Sequence, residues 1–163
     1  MRTLVRVWCV FAMASLLTAT GCGRKAQDET NGLAGVTVIP PGLGASATLG
    51  ADGGAIMSAA GVGILVPPGA LSSETFIEVT PSALVPPPAL DPISLAYDYT
   101  PIDQTFALPV TLELPLPPGT AGAFVYLTRS DGSGWDAIAG ASWNGTIRVA
   151  VTRFGTAFAA KAH

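Results

Sequence analysis

Glycine and proline interrupt this chain at short intervals from Val36 onward, and these interruptions restrict what it can fold into. The chain has 19 Gly and 14 Pro, and few stretches after Val36 run for more than about ten residues without one of them. These are the two residues that the interior of an α-helix tolerates least. The uninterrupted stretches also lack apolar residues spaced about 3.6 apart, the period of an amphipathic helix. The sequence therefore predicts strands and turns rather than helices.

Short runs rich in β-branched residues lie between these interruptions. Residues 110–114 alternate apolar with polar side chains, which is typical of a strand with one buried face. Residues 75–80 alternate less cleanly, and there Phe76 is expected on the apolar face. Turn signals separate the runs, and Asn144-Gly145 is the strongest of them. The pattern predicts roughly nine to eleven strands in a single antiparallel β-sandwich of two sheets.

The N-terminus has the parts of a secretory signal peptide. Arg2 and Arg6 supply a basic start, an apolar run follows, and three small residues precede Cys22. The apolar run has about 13 residues, whereas a helix that spans a bilayer needs about 20. Residues 1–21 are therefore predicted to be a signal peptide that is removed.

Small residues that end at a cysteine resemble the bacterial lipobox, although Ala19 stands where that motif usually has Leu. The resemblance implies that the Cys22 sulfur is lipidated and that Cys22 becomes the first residue. Cys9 lies in the removed part, and a single remaining cysteine in a secreted protein needs a use. The alternative is an ordinary signal peptide cleaved nearby, with Cys22 a free or disulfide-bonded thiol. Gly23, where Asp would retain a lipoprotein in the inner membrane, implies the outer membrane, on its periplasmic or surface face.

Residues 22–35 are predicted to be the lipidated cysteine and a flexible tether, because residues 23–35 are polar, contain Gly and show no periodicity. Full extension of such a tether reaches roughly 45 Å. The 142 residues left after cleavage are enough for one domain, over residues 36–163. Without Arg2 and Arg6, six basic residues oppose eleven acidic ones, for a net charge of −5. This charge argues against nucleic acid and anionic membrane surfaces as partners.

Three segments share features with a known domain family. They are residues 63–80, with Ile64-Leu65-Val66-Pro67-Pro68-Gly69-Ala70-Leu71, residues 97–114, with Thr105-Phe106-Ala107-Leu108-Pro109-Val110-Thr111-Leu112, and residues 134–158, with Gly134-Trp135 and the run from Ile147. Together they resemble the ZU-five domain of zonula occludens proteins, netrin receptors and ankyrins, most closely its bacterial lipoprotein and surface versions, over about residues 51–160. The resemblance implies an immunoglobulin-like β-sandwich. The eukaryotic members bind other proteins, and the resemblance implies neither a small-molecule site nor a cofactor.

The prolines and small residues of these segments have architectural roles of their own. Pro67 and Pro68 are expected to end a strand, because proline cannot donate to a ladder of hydrogen bonds. Ala70 and Leu71 are then expected to fold back as an apolar plug. Pro109 is expected at the start of the strand that follows it.

Some members of the family cut themselves at a His-Phe-Ser sequence. The corresponding residues here are Arg153-Phe154-Gly155, which lack both the imidazole and the hydroxyl. Because a nucleophile needs an attacking group and a base, self-cleavage is not expected.

Other catalytic and metal-binding constellations are also missing from the sequence. The one histidine is His163, the last residue, so no histidine-based triad or histidine–cysteine zinc site can form. Glu74 and Glu78 are interpreted as a solvated strand face rather than an acid–base pair. The chain is therefore predicted not to be an enzyme and to carry no cofactor and no metal.

Two loops leave alternatives open. Residues 131–136 place carboxylate and hydroxyl oxygens in a Gly-rich stretch that could hold calcium, although a plain turn is favoured because the spacing is not that of an EF-hand. Asp91, Asp98 and Asp103 could gather at one end of the sandwich. Residues 85–89, rich in proline, are interpreted as a rigid crossover between strands, with a polyproline ligand as the alternative.

Trp135 and Trp143 flank a predicted hairpin. They are expected to pack across it, and the functional alternative is an exposed aromatic surface that binds a sugar or a partner, together with Asn144. The sequence as a whole favours a non-catalytic, lipid-anchored protein of the bacterial cell envelope whose sandwich binds another protein. The alternatives are a structural spacer without a specific ligand, and a carbohydrate-binding module that uses Trp135 and Trp143.

Overall fold

The computed structural model describes residues 36–38 and 42–161, all of which lie in one compact unit, Gly32–His163. These residues form an all-β sandwich of two sheets, which confirms the predicted fold class. They contain twelve strands, against roughly nine to eleven predicted. The predicted signal peptide and the predicted tether lie outside the described residues.

Each sheet has six strands. The first sheet has the order β1 (Val36–Val38), β3 (Gly54–Met57), β4 (Gly63–Val66), β7 (Thr105–Pro115), β11 (Thr146–Arg153) and β10 (Ala141–Trp143). The second has the order β2 (Ala45–Leu49), β5 (Thr75–Pro81), β6 (Tyr97–Thr100), β12 (Thr156–Lys161), β8 (Ala123–Thr128) and β9 (Trp135–Ala139). Among the described strands, neighbours are antiparallel except β1 and β3, a parallel pair at one edge.

The core lies between the inner faces of the two sheets. Alternate residues of β7 and β11 point into it, as the sequence pattern predicts. Each fully buried Val, Leu or Ile side chain stabilises the fold by about 1.5–3 kcal/mol. The fully buried side chains include Ile56, Ile64, Val110, Leu112, Leu114 and Ile147 from the first sheet and Ile77, Val79 and Tyr99 from the second.

The alternation in β5 differs from the prediction. Ile77 and Val79 are fully buried, whereas Phe76 is 58 % exposed on the outer face. The spacing of two residues places Ile77 and Val79 on one face, and the register of the strand, not the size of Phe76, decides which face is inside. The prediction that Phe76 faces the core was wrong.

Pro109 was expected at the start of a strand. It lies inside β7 instead, so this expectation was wrong. Val110 pairs with Val151 and Thr105 pairs with Arg153, so residues 106–109 oppose a single residue of β11. This irregularity removes the ladder position at which an amide hydrogen would be needed, and proline is tolerated at such a bulge. The expectation that Ala70 and Leu71 form an apolar plug is confirmed, because both residues are buried.

The chain changes sheets at Gly140, between β9 and β10. A Cβ on Gly140 would lie 2.5 Å from Ile147 Cγ1 and 2.8 Å from the carbonyl oxygen of Arg148. Only glycine leaves room for the backbone to pass this close to β11. As a result, β9 belongs to the second sheet and β10 to the first.

A smaller apolar cluster lies on the outer face of the second sheet. Ala96, Phe158 and Ala160 are buried there, and Leu90 packs against them. Leu90 ends a short 3-10 helix, Pro88–Leu90, in the connection between β5 and β6. This connection therefore covers a patch of the sheet that would otherwise be exposed.

Candidate functional site

Trp135 and Trp143, the two predicted ligand-contacting tryptophans, lie in different sheets. Trp135 is in β9 of the second sheet and Trp143 is in β10 of the first. Each lies on the outer face of its own sheet, because its partner strand presents its buried side chains on the opposite face. The structure therefore does not bring the two rings together, either as a cross-strand pair or as one shared binding surface.

Trp135 packs into the smaller apolar cluster. Its ring meets the ring of Phe158 edge-on, with centroids 4.7 Å apart, and Tyr126 stacks on Phe158 at 5.4 Å. Such aromatic contacts stabilise a fold beyond the area they bury. The position of Trp135 is accounted for by this packing.

Trp143 is 58 % exposed at the end of an edge strand. The next two residues, Asn144 and Gly145, have φ values of 46° and 79° and form the tight turn that leads into β11. Two successive positive φ values are what a type I′ hairpin turn requires, as the Asn-Gly pair predicts. The Arg148 Cζ atom lies 5.9 Å from the centre of the Trp143 ring, within the range of a cation–π contact.

A buried carboxylate lies beside this turn. The Glu113 side chain is only 5 % exposed, and its Oε1 atom accepts a hydrogen bond of 2.9 Å from Arg148 Nη2. The Thr146 hydroxyl lies 2.9 Å from the same oxygen and 2.8 Å from the carbonyl oxygen of Trp143, so it donates to one of them at a time. Within residues 42–161, Glu113 Oε2 and Arg148 Nε are buried without a hydrogen-bond partner.

The burial of Glu113 follows from its neighbours in the first sheet. Glu113 pairs with Gly63 on one side and with Arg148 on the other. Gly63 leaves space above the sheet, and the Met57 side chain occupies it, since a Cβ on Gly63 would lie 2.8 Å from Met57 Sδ. Glu113 thus lies on the outer face between Gly63, over which the Met57 side chain lies, and the Arg148 guanidinium that pairs with its carboxylate.

Sequence reasoning missed the group of Glu113, Thr146 and Arg148. The sequence did contain a signal for this group, because Glu113 and Arg148 carry opposite charges at outward-facing positions of two runs predicted as strands. The pairing of these two strands depends on the sheet topology, which the sequence did not reveal.

A cleft of about 410 Å³ opens next to Trp143. It lies between the connection from β7 to β8 and the turn from β10 to β11, and Trp143 and Asn144 both line it. Residues 42–161 give the Asn144 carboxamide no hydrogen-bond partner. The Ser142 side chain lies on the face of β10 opposite to Trp143, because Ser142 pairs with the buried Ile147. The full lining is Leu116, Pro117, Pro118, Gly119, Thr120, Ser142, Trp143, Asn144, Gly145 and Thr146.

The loop considered for calcium has its carboxylates engaged by protein groups. Asp131 Oδ1 accepts a hydrogen bond of 2.8 Å from the Ser133 amide. Hydrogen bonding to the Ser133 side chain, and then to this amide, lowers the pKa of the Asp131 carboxyl. Asp136 lies 2.9 Å from Arg129 Nε and 3.4 Å from Arg153 Nη2. These contacts are those of a closed turn and an ion pair.

Two of the three other aspartates considered for calcium have protein partners, and the third lies in a turn. Asp91 pairs with Lys161 at 3.3 Å, and Asp98 accepts a hydrogen bond of 2.6 Å from the Thr156 hydroxyl. Asp103 lies in a turn with a φ of 62°. Across the part of the chain that the structure describes, no group of three or more His, Cys, Asp or Glu side chains could hold a metal ion.

The residues that correspond to the self-cleavage motif are part of the core and its border. Phe154 is fully buried and packs edge-on against Phe106, with ring centroids 4.7 Å apart. A Cβ on Gly155 would lie 2.6 Å from Thr128 Oγ1. A serine at this position would therefore force the Thr128 side chain to move.

The proline-rich connection from β5 to β6 is attached to β12. The amide of Ile93 donates to the carbonyl oxygen of Ala159 at 2.9 Å, and the Ala159 amide donates to Ser94 Oγ at 2.8 Å. Pro87 has φ −59° and ψ 125°, close to polyproline II, but the next residue begins the 3-10 helix. The extended stretch is thus short and continuous with a fixed crossover.

Cys22 lies outside the described residues. Within residues 36–38 and 42–161, no helix has the length and apolar character needed to cross a membrane. No model of a known protein family matches the chain. A search of curated proteins likewise finds no match.

Proposed function

We propose that this chain is a non-catalytic lipoprotein of the bacterial cell envelope, anchored through Cys22, whose β-sandwich binds another protein. The observation that carries the anchoring part is the order of a basic start, a short apolar run and small residues ending at Cys22. Two or more acyl chains on one residue give stable membrane attachment. The outer membrane is the proposed location, on the basis of Gly23.

Protein binding is supported by apolar side chains that the fold leaves exposed on a fixed loop. Leu84 and Val85 are 43 % and 81 % exposed in the connection from β5 to β6. The same connection is held to β12 through Ile93 and Ser94. A fixed loop loses little conformational entropy on binding, which favours its use as a recognition element.

The two alternative functions, a spacer and a carbohydrate-binding module, differ in how well they agree with the structure. A spacer without a specific ligand would give the same fold and the same anchor, and it differs only in having no partner. A carbohydrate module that uses Trp135 and Trp143 together is disfavoured, because the two rings lie on the outer faces of different sheets.

Site-specific photo-crosslinking in native membranes tests the proposal. A photoreactive amino acid at Val85 is expected to capture one protein repeatedly, whereas the same group at Phe76, 58 % exposed in the second sheet, is expected not to. Equal capture at both positions would indicate nonspecific contact. No capture at any of several exposed positions, including Leu84, Val85 and Leu95, would favour the spacer.

A further inference from the structure

Trp143 and its neighbours form a surface that the proposed protein-binding loop does not include. Arg148 contacts the Trp143 ring, and more than half of the tryptophan stays exposed. An indole combines a flat apolar ring with a polar N–H, so it binds flat ligands that are apolar on one face and polar at the edge. Trp135 lacks this property because its ring packs against Phe158.

The groups beside the Trp143 ring are polar, and their charges sum to zero. Asn144 lines the same cleft, and its carboxamide is engaged by no other residue within 42–161. The charge of Arg148 is balanced by Glu113 at 2.9 Å. The cleft therefore offers hydrogen bonds without a net positive charge, which argues against a polyanion as its ligand.

The cleft is also held in place by the fold. The Leu116 amide donates to the carbonyl oxygen of Gly145 at 2.7 Å, which ties the connection from β7 to β8 to the turn that carries Asn144. Thr146 and Arg148 fix the other side through Glu113. Side chains on a fixed turn are oriented before a ligand arrives, which lowers the entropic cost of binding.

We propose that this cleft is a carbohydrate subsite for a chain of neutral, equatorially linked pyranose sugars. The face of one sugar ring packs on Trp143, and its hydroxyl or acetamido groups hydrogen-bond to Asn144. A pyranose with equatorial linkages presents an apolar face of C–H groups and a polar rim, which matches an aromatic ring with polar neighbours. The site uses Trp143 alone and excludes Trp135. It is independent of the proposed lipid anchor and of the proposed protein partner.

The test uses the mature protein purified in a polyoxyethylene detergent, which has no sugar head group to compete. Native gels that contain hydroxyethyl cellulose or glycol chitin measure retention by a β-1,4-linked glucan and by its N-acetylated counterpart. We expect retention on at least one polymer, and we expect Trp143→Ala to weaken it by about tenfold or more. Asn144→Gly keeps the positive φ of the turn and removes the carboxamide, so a smaller loss is expected.

Phe76→Ala is the matched control, since Phe76 and Trp143 are equally exposed and lie in different sheets. It should bind as the unmodified protein does. Thermal unfolding of every variant separates loss of binding from loss of fold.

A second readout does not depend on retention. In a Trp135→Phe variant of the mature protein, Trp143 is the one remaining tryptophan, because Trp8 is in the segment predicted to be removed. Chitotetraose is expected to shift its fluorescence in a saturable manner. No retention of the unmodified protein on either polymer, or equal retention of Trp143→Ala, would overturn the proposal. Capture of a protein by a photoreactive group at position 143, without any glycan binding, would reassign the cleft to a protein partner.

Discussion

The hydroxyl of Tyr99 on β6 donates a hydrogen bond of 3.3 Å to the main-chain carbonyl oxygen of Glu113 on β7, and so joins the two sheets. Tyr99 is fully buried, and its ring packs against Phe154 with centroids 5.9 Å apart. Burial raises the pKa of the Tyr99 phenol above its ordinary value of about 10, and the nearby Tyr97 and Glu113 raise it further.

Replacing Tyr99 with Phe removes this hydrogen bond without changing the shape of the ring. The free energy of unfolding at pH 7 is expected to fall by about 1 kcal/mol, the usual contribution of one buried hydrogen bond. Above pH 10 the unfolded chain loses the phenol proton more readily than the folded one. Stability is therefore complete below pH 10 and is lost as the pH rises toward the raised native pKa. Urea unfolding between pH 7 and pH 11 measures both effects.

The alkaline loss should be smaller in Tyr99→Phe than in the unmodified protein, and Tyr126→Phe is the control. Tyr126 is half-buried on the outer face of the second sheet, so its replacement should leave the alkaline loss in place. Identical pH profiles for all three proteins would contradict the role assigned to Tyr99.

Arg148→Met is expected to destabilise the protein by about 1–3 kcal/mol, because it leaves the buried Glu113 carboxylate without its cation. The lower part of that range is favoured, since the Arg148 side chain is 38 % exposed and water can replace part of the interaction. Adding Glu113→Gln to Arg148→Met should recover part of the loss, and a double-mutant cycle by urea unfolding measures the coupling. Arg129→Met, in an exposed pair with Asp136, should change little. Strictly additive effects at positions 113 and 148 would contradict the coupling.

The two tryptophans should differ in their effect on stability. Trp135→Ala removes the edge-on contact with Phe158 and is expected to cost about 2 kcal/mol. Trp143→Ala removes an exposed ring and is expected to cost less than about 1 kcal/mol. Thermal unfolding followed by circular dichroism compares them. A larger loss for Trp143→Ala would mean that this ring serves the fold rather than a ligand.

Gly155→Ser is expected to destabilise the fold by about 1–3 kcal/mol, because its Cβ would lie 2.6 Å from Thr128 Oγ1. It should also leave the chain intact, since position 153 is Arg and no histidine is next to the new hydroxyl. Gly50→Ser is the control, with its nearest neighbour, Glu74 Cγ, at an ordinary 3.5 Å. Two fragments separated after Phe154 in a denaturing gel would show that the serine alone restores cleavage.

Local patterns predicted the fold class and several of its details. The alternation around Leu112 and the Asn144-Gly145 turn depend on neighbours in the sequence, and both are found in the structure. Phe76 was assigned to the wrong face because hydrophobicity was weighed above spacing. The bulge at Pro109 depends on a register difference between two strands, which a single run of residues does not encode.

The candidate cleft was only half predictable. Trp143 and Asn144 stand out as an exposed aromatic and a turn residue, but Trp135 stands out in the same way and is packed. What separates the two tryptophans is the change of sheet at Gly140, a close approach of the backbone to Ile147 that involves no sequence neighbour. The Glu113–Arg148 pair depends on the same kind of long-range information.

Cys22→Ala is expected to move the protein from the membrane fraction to the soluble fraction, because the acyl chains on the sulfur would be lost. Fractionation of cells followed by immunoblotting measures this, with Ser46→Ala, in the second sheet, as the control. A Cys22→Ala protein that stays in the membrane fraction would show that the anchor is something other than a lipid on this sulfur.

Mass spectrometry of the N-terminal peptide of the protein, purified from the membranes of its own cells, tests the central claim most directly. The proposed anchor predicts a peptide that begins at Cys22 and carries the mass of a diacylglyceryl group, with or without a third acyl chain. A mature peptide that begins elsewhere, or that begins at Cys22 without acyl mass, would contradict it.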